Sequence, residues 1–210
     1  MIMKFYFVKT PRLFKLIFRK WVWSFSENEK IIYLTFDDGP TPEITPWVLN
    51  LLQKFNAQAT FFCIGKNIVK HPEIFQAILK NNHSFGNHTN NHLNGWKTNT
   101  DLYLENSLDV AKTTKHSTKL FRPPYGKLFL RQSKRLRNKG FKIIMWDVLS
   151  ADFDAKISKE KCLQNVLKNA GNGSILVFHD SSKASKKLKF VLPKVLEYFA
   201  EKGYAFQKIA

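Results

Sequence analysis

Ionisable residues recur where apolar runs end. Asp37 and Asp38 follow "KIIYLTF" and lead straight into Gly39-Pro40. His88 and His92 follow "HSFGN", Arg122 and Tyr125 flank the two prolines of "LFRPPY", Asp147 and Asp152 come at the end of "FKIIMW", and His179 and Asp180 end "GSILVFHD". Adjacent carboxylates repel each other unless a cation or a proton separates them. In "NHTNNH" the two histidines are four residues apart, which on a helix or tight turn puts both imidazoles on one side, within reach of one ion. Zinc is commonly held by imidazole nitrogens with a carboxylate, and either Asp37 or Asp38 can supply the latter. A lone H-x-x-x-H is weak by itself. Carboxylates and imidazoles converging from five segments are harder to explain as caps and turns, and together they could take and give protons around a metal.

The elements that must position these groups alternate. Runs such as "KIIYLTF", "ATFFCIG", "HSFGNH", "LFRPPY", "FKIIMWDV", "GSILVFHD" and "YAFQKI" predict about seven strands. Between them the pattern predicts helices over "TPWVLNLLQKF" (Thr45 as cap, Pro46 at the first turn), "PEIFQAILKNN", residues 101–114, 128–139 and 158–169, and "PKVLEYFAEKG", which has Pro193 near its start. Such alternation implies parallel strands with crossover helices, closed as a barrel or open and doubly wound. In a parallel barrel the C-terminal strand ends share one face, where active sites are built. There is no G-x-G-x-x-G after the first strand, so dinucleotide binding is not supported.

Composition sets outer limits. The 210 residues are 44% hydrophobic with 19 Phe, enough for one large core. Lys and Arg number 34 against 16 Asp and Glu, a formal +18 that attracts polyanions or merely solvates the surface. Cys63 and Cys162 form no disulfide framework, and Cys63 reads as a buried thiol. At the N-terminus the apolar stretch Phe5–Val8 is stopped by Lys9, Pro11 and Arg12, so neither a secretory signal nor a membrane span is expected. Thr10-Pro11 reads instead as the start of a helix. Leu13, Phe14, Leu16, Ile17, Trp21 and Val22 lie largely on one face, among Arg12, Lys15, Arg19 and Lys20. That segment, residues 10–24, either closes one end of a barrel or lies on a membrane surface. The organisation expected is a basic amphipathic segment over 1–30 and a single domain over 31–210, located in the cytoplasm or peripherally at a membrane.

Taken in order, "TFDDGP", "HTNNH", "RPPYG", "WDVLSADF" and "VFH" resemble the motifs of polysaccharide deacetylases with the NodB homology domain, carbohydrate esterase family 4. The resemblance runs from about Ile31 to the C-terminus. It implies a distorted (β/α)7 TIM-like barrel and hydrolysis of N-acetyl groups from an amino-sugar polymer such as peptidoglycan or chitin. It also implies a divalent metal, zinc first, with cobalt, nickel or manganese as alternatives. By position, Asp38, His88 and His92 resemble the metal ligands, and Asp37 the base that takes a proton from the metal-bound water. Arg122 resembles the residue that holds that base, and the Tyr125 N–H would face the oxyanion. His179 resembles the acid that protonates the leaving amine, oriented by Asp152.

The sequence departs from the family where Phe153 replaces a usual Trp, where Val177 replaces the Leu of L-x-H, and where Leu149 replaces a frequent Asp. Phe153 and Val177, with Pro124, resemble the positions that line the family's pocket for the acetyl methyl, and the first two changes stay apolar. An O-acetyl esterase would need the same groups, and a non-catalytic basic barrel binding glycan or membrane is the remaining alternative. The expected partner is an N-acetylated glycan, with a monomeric chain and no nucleic acid. "SSKASKKLK" (181–189) would be a basic loop on the active-site face, touching an anionic polymer or simply solvated.

Overall fold

The strands β1 (Ile31–Asp37) and β2 (Ala59–Cys63) are near-continuous apolar runs because both of their faces are covered, and every residue of β2 is buried. The computed structural model describes residues 6–210. The remaining strands are β3 (Ser84–Asn87), β4 (Leu120–Phe121), β5 (Lys142–Ile143), β6 (Val148–Leu149), β7 (Ile175–His179) and β8 (Ala205–Phe206). Their order is β5-β4-β3-β2-β1-β7-β6, with β8 added to the start of β1, and all of these pairings are parallel. The two ends of the sheet, β5 and β6, belong to one stretch of chain separated by Ile144–Asp147. The sheet therefore curls so that its two edges face a common seam, as a distorted α/β barrel in a single domain.

"FKIIMWDV" becomes two short strands because it serves both edges. Between them its backbone turns away, and the Ile144 and Met145 carbonyls accept hydrogen bonds from Arg122 instead of from a neighbouring strand. The seam left there is filled by the N-terminal segment. Val22 donates to the Ile143 carbonyl and accepts from Met145 N–H, Lys9 bridges Val148, and Ser24 bridges Ser174. Trp21 and Trp23 are buried against Phe121, Leu128, Leu136 and Met145. Of the segment expected over 1–30, residues 1–5 (including Phe5 of the apolar stretch) lie outside the described residues. The rest is part of the barrel wall, apart from its helix.

That helix, α1 (Arg12–Ile17), is shorter than expected, since the chain is extended again by Val22. The others are α2 (Ile44–Lys54), α3 (Gly65–Lys70), α4 (Pro72–Lys80), α5 (Thr100–Thr114), α6 (Leu130–Asn138), α7 (Lys159–Leu167) and α8 (Ser185–Glu201). The main core lies between β1, β2 and β7 and the helices α2, α7 and α8, around Phe36, Phe61, Phe178, Leu192 and Leu196. Two helix starts differ from the sequence reading. Thr45 is inside α2 rather than its cap, because its hydroxyl is used elsewhere (below). Pro193 is in the middle of α8, which begins at Ser185. The stretch 181–189 is therefore mostly the first turn of a helix rather than a loop. Cys63 and Cys162 are buried free thiols.

Candidate active site

Asp37 ends β1 and faces the barrel interior, where it meets Arg122. The guanidinium is wholly buried, and each of its three nitrogens donates a hydrogen bond. Nη1 donates to Asp37 Oδ1 and to Thr35 Oγ1, both at 2.7 Å, Nε donates to the Ile144 carbonyl at 3.2 Å, and Nη2 to that of Met145 at 2.9 Å. The Phe62 ring stacks beneath it, 4.0 Å from Cζ. A buried cation held this way has no freedom, so it fixes the position of the carboxylate it pairs with.

The next residue turns. Asp38 has φ 81°, in the left-handed region, and this swings its carboxylate toward two imidazoles. One of its oxygens lies 3.2 Å from His92 Nε2 and 3.8 Å from His88 Nε2. The donor atoms of Asp38, His88 and His92 all fall within 4.8 Å of one another, an arrangement that could hold a metal ion. His88 Nδ1 is 2.8 Å from the Arg122 carbonyl. Donation of Nδ1–H there leaves the Nε2 lone pair for the cluster, the usual way a ligating imidazole is oriented. Burial pushes His88 down to about 4, against the opposing pull of Asp37 and Asp38, so it is neutral and able to ligate at ordinary pH. Burial alone would raise the Asp38 carboxyl, but the hydrogen bond from His92 and the nearby His179 and His88 hold it well below the usual carboxylate range. Two imidazoles and one carboxylate are a donor set that suits a divalent cation.

His88 and His92 are carried by a turn rather than a helix, and that turn is tied down by residues the sequence reading did not assign. Asn87 bonds Ser107 O through Nδ2 and accepts from Thr89 N–H through Oδ1. Asn106 Oδ1 accepts from the N–H groups of Asn90 and Asn91. The signal was there: Tyr103, Asn106, Ser107 and Val110 follow the spacing of one helical face, and that face of α5 is buried. Polar residues on an apolar stripe need partners.

His179 ends β7, directly beside Asp37 in the β1–β7 register. Its Nδ1 is 2.7 Å from Asp152 Oδ1, and its backbone N–H donates to Oδ2 of the same carboxylate at 2.8 Å. Burial opposes the charged imidazole, but Asp152, together with Asp38 and Asp37, outweighs it and raises His179 to about 9. The Phe153 ring packs edge-on to His179, and Tyr6 packs on Phe153 in turn. Val177 is buried one residue pair below His179, and Pro124 is buried beside Tyr125. Tyr125 has φ 61°, and its largely exposed ring lies 4.6 Å from that of His92.

Two of the strand-end carboxylates expected on the rim have no role in the motifs. Asp147 does not join the rim. It lies at the opposite end of the strands, ion-paired to Lys9 and Lys15 and bonded to Ser174, where it anchors the N-terminal segment. It precedes β6 rather than following a strand, which a continuous "FKIIMWDV" concealed. Asp180, by contrast, supports the site. It accepts from Gly39 N–H at 3.1 Å and from the Thr45 hydroxyl at 2.5 Å, and so braces the turn that presents Asp38. A Cβ at Gly39 would meet its Oδ2 at 2.1 Å, which explains the glycine. Burial, with Asp38 and Asp37 nearby, pushes Asp180 up to about 7 despite the Thr45 bond. Of the other histidines, His83 is buried and accepts from Ala59 N–H, while His71 and His116 are half-buried away from the cluster.

The family model described as polysaccharide deacetylase matches residues 26–144. A peptidoglycan-N-acetylglucosamine deacetylase of Bacillus cereus is 37% identical over 193 residues, 90% of each chain. Chitin deacetylase 2 of Saccharomyces cerevisiae is 33% identical over 172 residues, covering 77% of this chain and 54% of its own length. The crystal structure of the Bc1960 peptidoglycan N-acetylglucosamine deacetylase, in complex with 4-naphthalen-1-yl-N-oxidanyl-benzamide, superposes with a TM-score of 0.84 at 30% identity over 95% of both chains. The chain therefore belongs to the polysaccharide deacetylase family, carbohydrate esterase family 4, and is a hydrolase of carbon–nitrogen bonds other than peptide bonds.

Proposed function

We propose that this chain removes N-acetyl groups from the amino sugars of a peptidoglycan-like or chitin-like polymer. The observation that carries this reading is the convergence of three constellations on one rim: Asp38 with His88 and His92, Asp37 held by Arg122, and His179 held by Asp152. The relatives named above act, by their names, on peptidoglycan N-acetylglucosamine and on chitin, which favours the amide over an O-acetyl ester.

Asp38, His88 and His92 would hold the cation, zinc fitting this donor set best, and when bound it would polarise the acetyl carbonyl and lower the pKa of the attacking water. Asp37 takes the proton of that water through the carboxylate that Arg122 orients. Attack puts negative charge on the carbonyl oxygen, and the backbone N–H of Tyr125 is the group assigned to face it. An amine leaves only with a proton. His179 supplies it from the strand next to Asp37, and Asp152 favours the imidazolium that can do so. The products are acetate and the free amino sugar. Phe153, Val177 and Pro124 would supply the apolar surface for the acetyl methyl.

Acetate release should be measured on a panel of N-acetylated glycans, with and without a chelator and added zinc, and again with Asp37→Asn and His88→Ala. Loss on chelation, recovery with zinc and loss in both variants are expected. Acetate release that survives both variants would sink the assignment.

A further inference from the structure

Helix α1 is docked the wrong way round for a soluble domain. Leu13, Leu16 and Ile17, at i, i+3 and i+4, share one face and are 64%, 70% and 62% exposed. Phe14 on the adjacent side is 40% exposed, and no residue of the helix is buried. Phe14 touches the rings of Phe7 and Phe18, and the contact with the strand end beneath is polar. Lys15, on the opposite side of the helix, reaches down to Asp147 Oδ1 at 2.7 Å. A surface helix ordinarily buries its apolar stripe and exposes its charges.

This display is anchored on both sides. Before α1, Thr10 donates to the Asp147 carbonyl through its N–H and to that of Trp146 through its hydroxyl. After it, ring contacts run inward from Phe14 through Phe18 and Trp21 to Trp23, where the chain is buried. Around the exposed face stand Arg12, Arg19 and Lys20, all exposed and, among the described residues, in no ion pair. An apolar cluster ringed by unpaired cations is complementary to a membrane whose headgroups are anionic, with its acyl region just beneath. Among the described residues no helix is long and apolar enough to cross a bilayer, so contact would be with one leaflet only.

We propose that α1 docks the protein on an anionic phospholipid surface, with Leu13, Leu16 and Ile17 entering the interface and Arg12, Arg19 and Lys20 meeting the headgroups. The placement gives the contact a direction. Residues 8–10 run antiparallel to β6, from Leu149 to Asp147, so they carry the chain away from the catalytic rim. Beside α1 lies the loop 169–174, which feeds the N-terminal end of β7. Asp37 and His179 end their strands at the other side. A barrel docked by α1 would point its catalytic rim away from the bilayer, toward a polymer layer above it.

The test is co-sedimentation of the full chain with vesicles of phosphatidylglycerol and phosphatidylcholine, against phosphatidylcholine alone, at low and high salt. The wild type should bind the anionic vesicles and be released by salt. Leu16→Ser with Ile17→Ser should weaken binding at least about tenfold. Arg19→Glu with Lys20→Glu should weaken it by about 25-fold or more on anionic vesicles, at roughly fivefold per lost cation. Both variants should keep the wild-type melting temperature and acetate release from a soluble oligosaccharide, so vesicle binding is judged independently of catalysis. Absence of wild-type binding to anionic vesicles, or unchanged binding by the Leu16/Ile17 variant, would overturn the proposal. So would a lipid-free dimer that this variant converts to monomer, since α1 would then be covered by a second copy.

Discussion

Replacing Asp152 by Asn tests whether the site is electrically tuned or merely well shaped. Asp152 is fully buried, and both its oxygens engage His179, one the ring and one the backbone N–H. Asparagine keeps the shape and one acceptor but removes the charge. In the wild type that charge, acting against burial, raises His179 to about 9. Compared with the ordinary 6.5, this is a preference for imidazolium of about 3 kcal/mol. Without Asp152 the imidazole should titrate at or below 6.5, since burial now acts with less opposition.

The sign follows from the task. A general acid must carry its proton, and a raised value keeps it there to higher pH. At pH 8 about 90% of wild-type His179 would be imidazolium, against roughly 3% in a variant that titrates at 6.5, whereas at pH 5.5 both would be about 90% or more. Measured as kcat/KM on a soluble N-acetylated chitooligosaccharide, the ratio of wild type to Asp152→Asn should therefore grow about 30-fold between pH 5.5 and 8. Taking the ratio cancels the ionisations that both enzymes share. A bound cation would lower His179 in both and leave them diverging in the same direction. A ratio that stays flat across this range would refute the electrostatic account and leave Asp152 as a spacer.

The two neighbouring carboxylates should separate in a zinc titration. Asp38→Asn is expected to weaken zinc binding by at least about tenfold, while Asp37→Asn should retain binding and lose turnover; equal metal affinities in the two variants would contradict the division of roles. Gly39→Ala places a Cβ 2.1 Å from Asp180 Oδ2 and should lower stability by about 1–3 kcal/mol in denaturant titration, with loss of zinc affinity, because the Asp38 turn must move. His83 is buried and pushed down to about 4, chiefly by burial. The unfolded chain, with its histidine at the ordinary 6.5, then binds the extra proton between those values. Stability from His83 is present above pH 6.5 and lost as pH falls toward 4, by at most about 3 kcal/mol. His83→Asn should flatten that part of the stability profile, and an unchanged slope would place the loss elsewhere.

Much of this site is legible in the sequence because its groups sit at the ends of apolar runs, and a parallel barrel gathers those ends. Asp37, Asp38, Arg122, Asp152, His88, His92 and His179 could be placed on one rim without coordinates. What the sequence hides is non-local. Asp147 looks like another strand-end carboxylate, and only the division of "FKIIMWDV" between two sheet edges sends it to the far side. Thr45 looks like a helix cap, but the hydroxyl that would cap α2 bonds Asp180, 135 residues away. The basic stretch 181–189 looks like a loop because Pro193 suggests a helix start. Yet α8 begins at Ser185 and accommodates the proline, leaving the Lys189 carbonyl without its helical donor. In each case tertiary partners override a local preference.

The acidic pair shows why such partners are needed. On an extended strand neighbouring side chains point to opposite faces, so Asp37 and Asp38 could not share a site if β1 simply continued. The chain meets that constraint by placing Asp38 at φ 81°, a conformation that costs a non-glycine residue roughly 1 kcal/mol or more. It does so repeatedly here. Of nine non-glycine residues with positive φ among the described residues, five (Asp38, Thr89, His92, Tyr125 and Ala151) lie in the loops that carry the site. Such conformations persist only where the surroundings over-determine them. Asn67 holds the Asp38 carbonyl, Asp180 holds Gly39, and Asn106 holds the turn before His92. The strain makes the two carboxylates unequal: Asp37 stays in the barrel beside a buried guanidinium, while Asp38 is turned out to two imidazoles. Relaxing any of these braces should therefore blur the distinction before it unfolds the barrel, and metal affinity is the first quantity expected to fall.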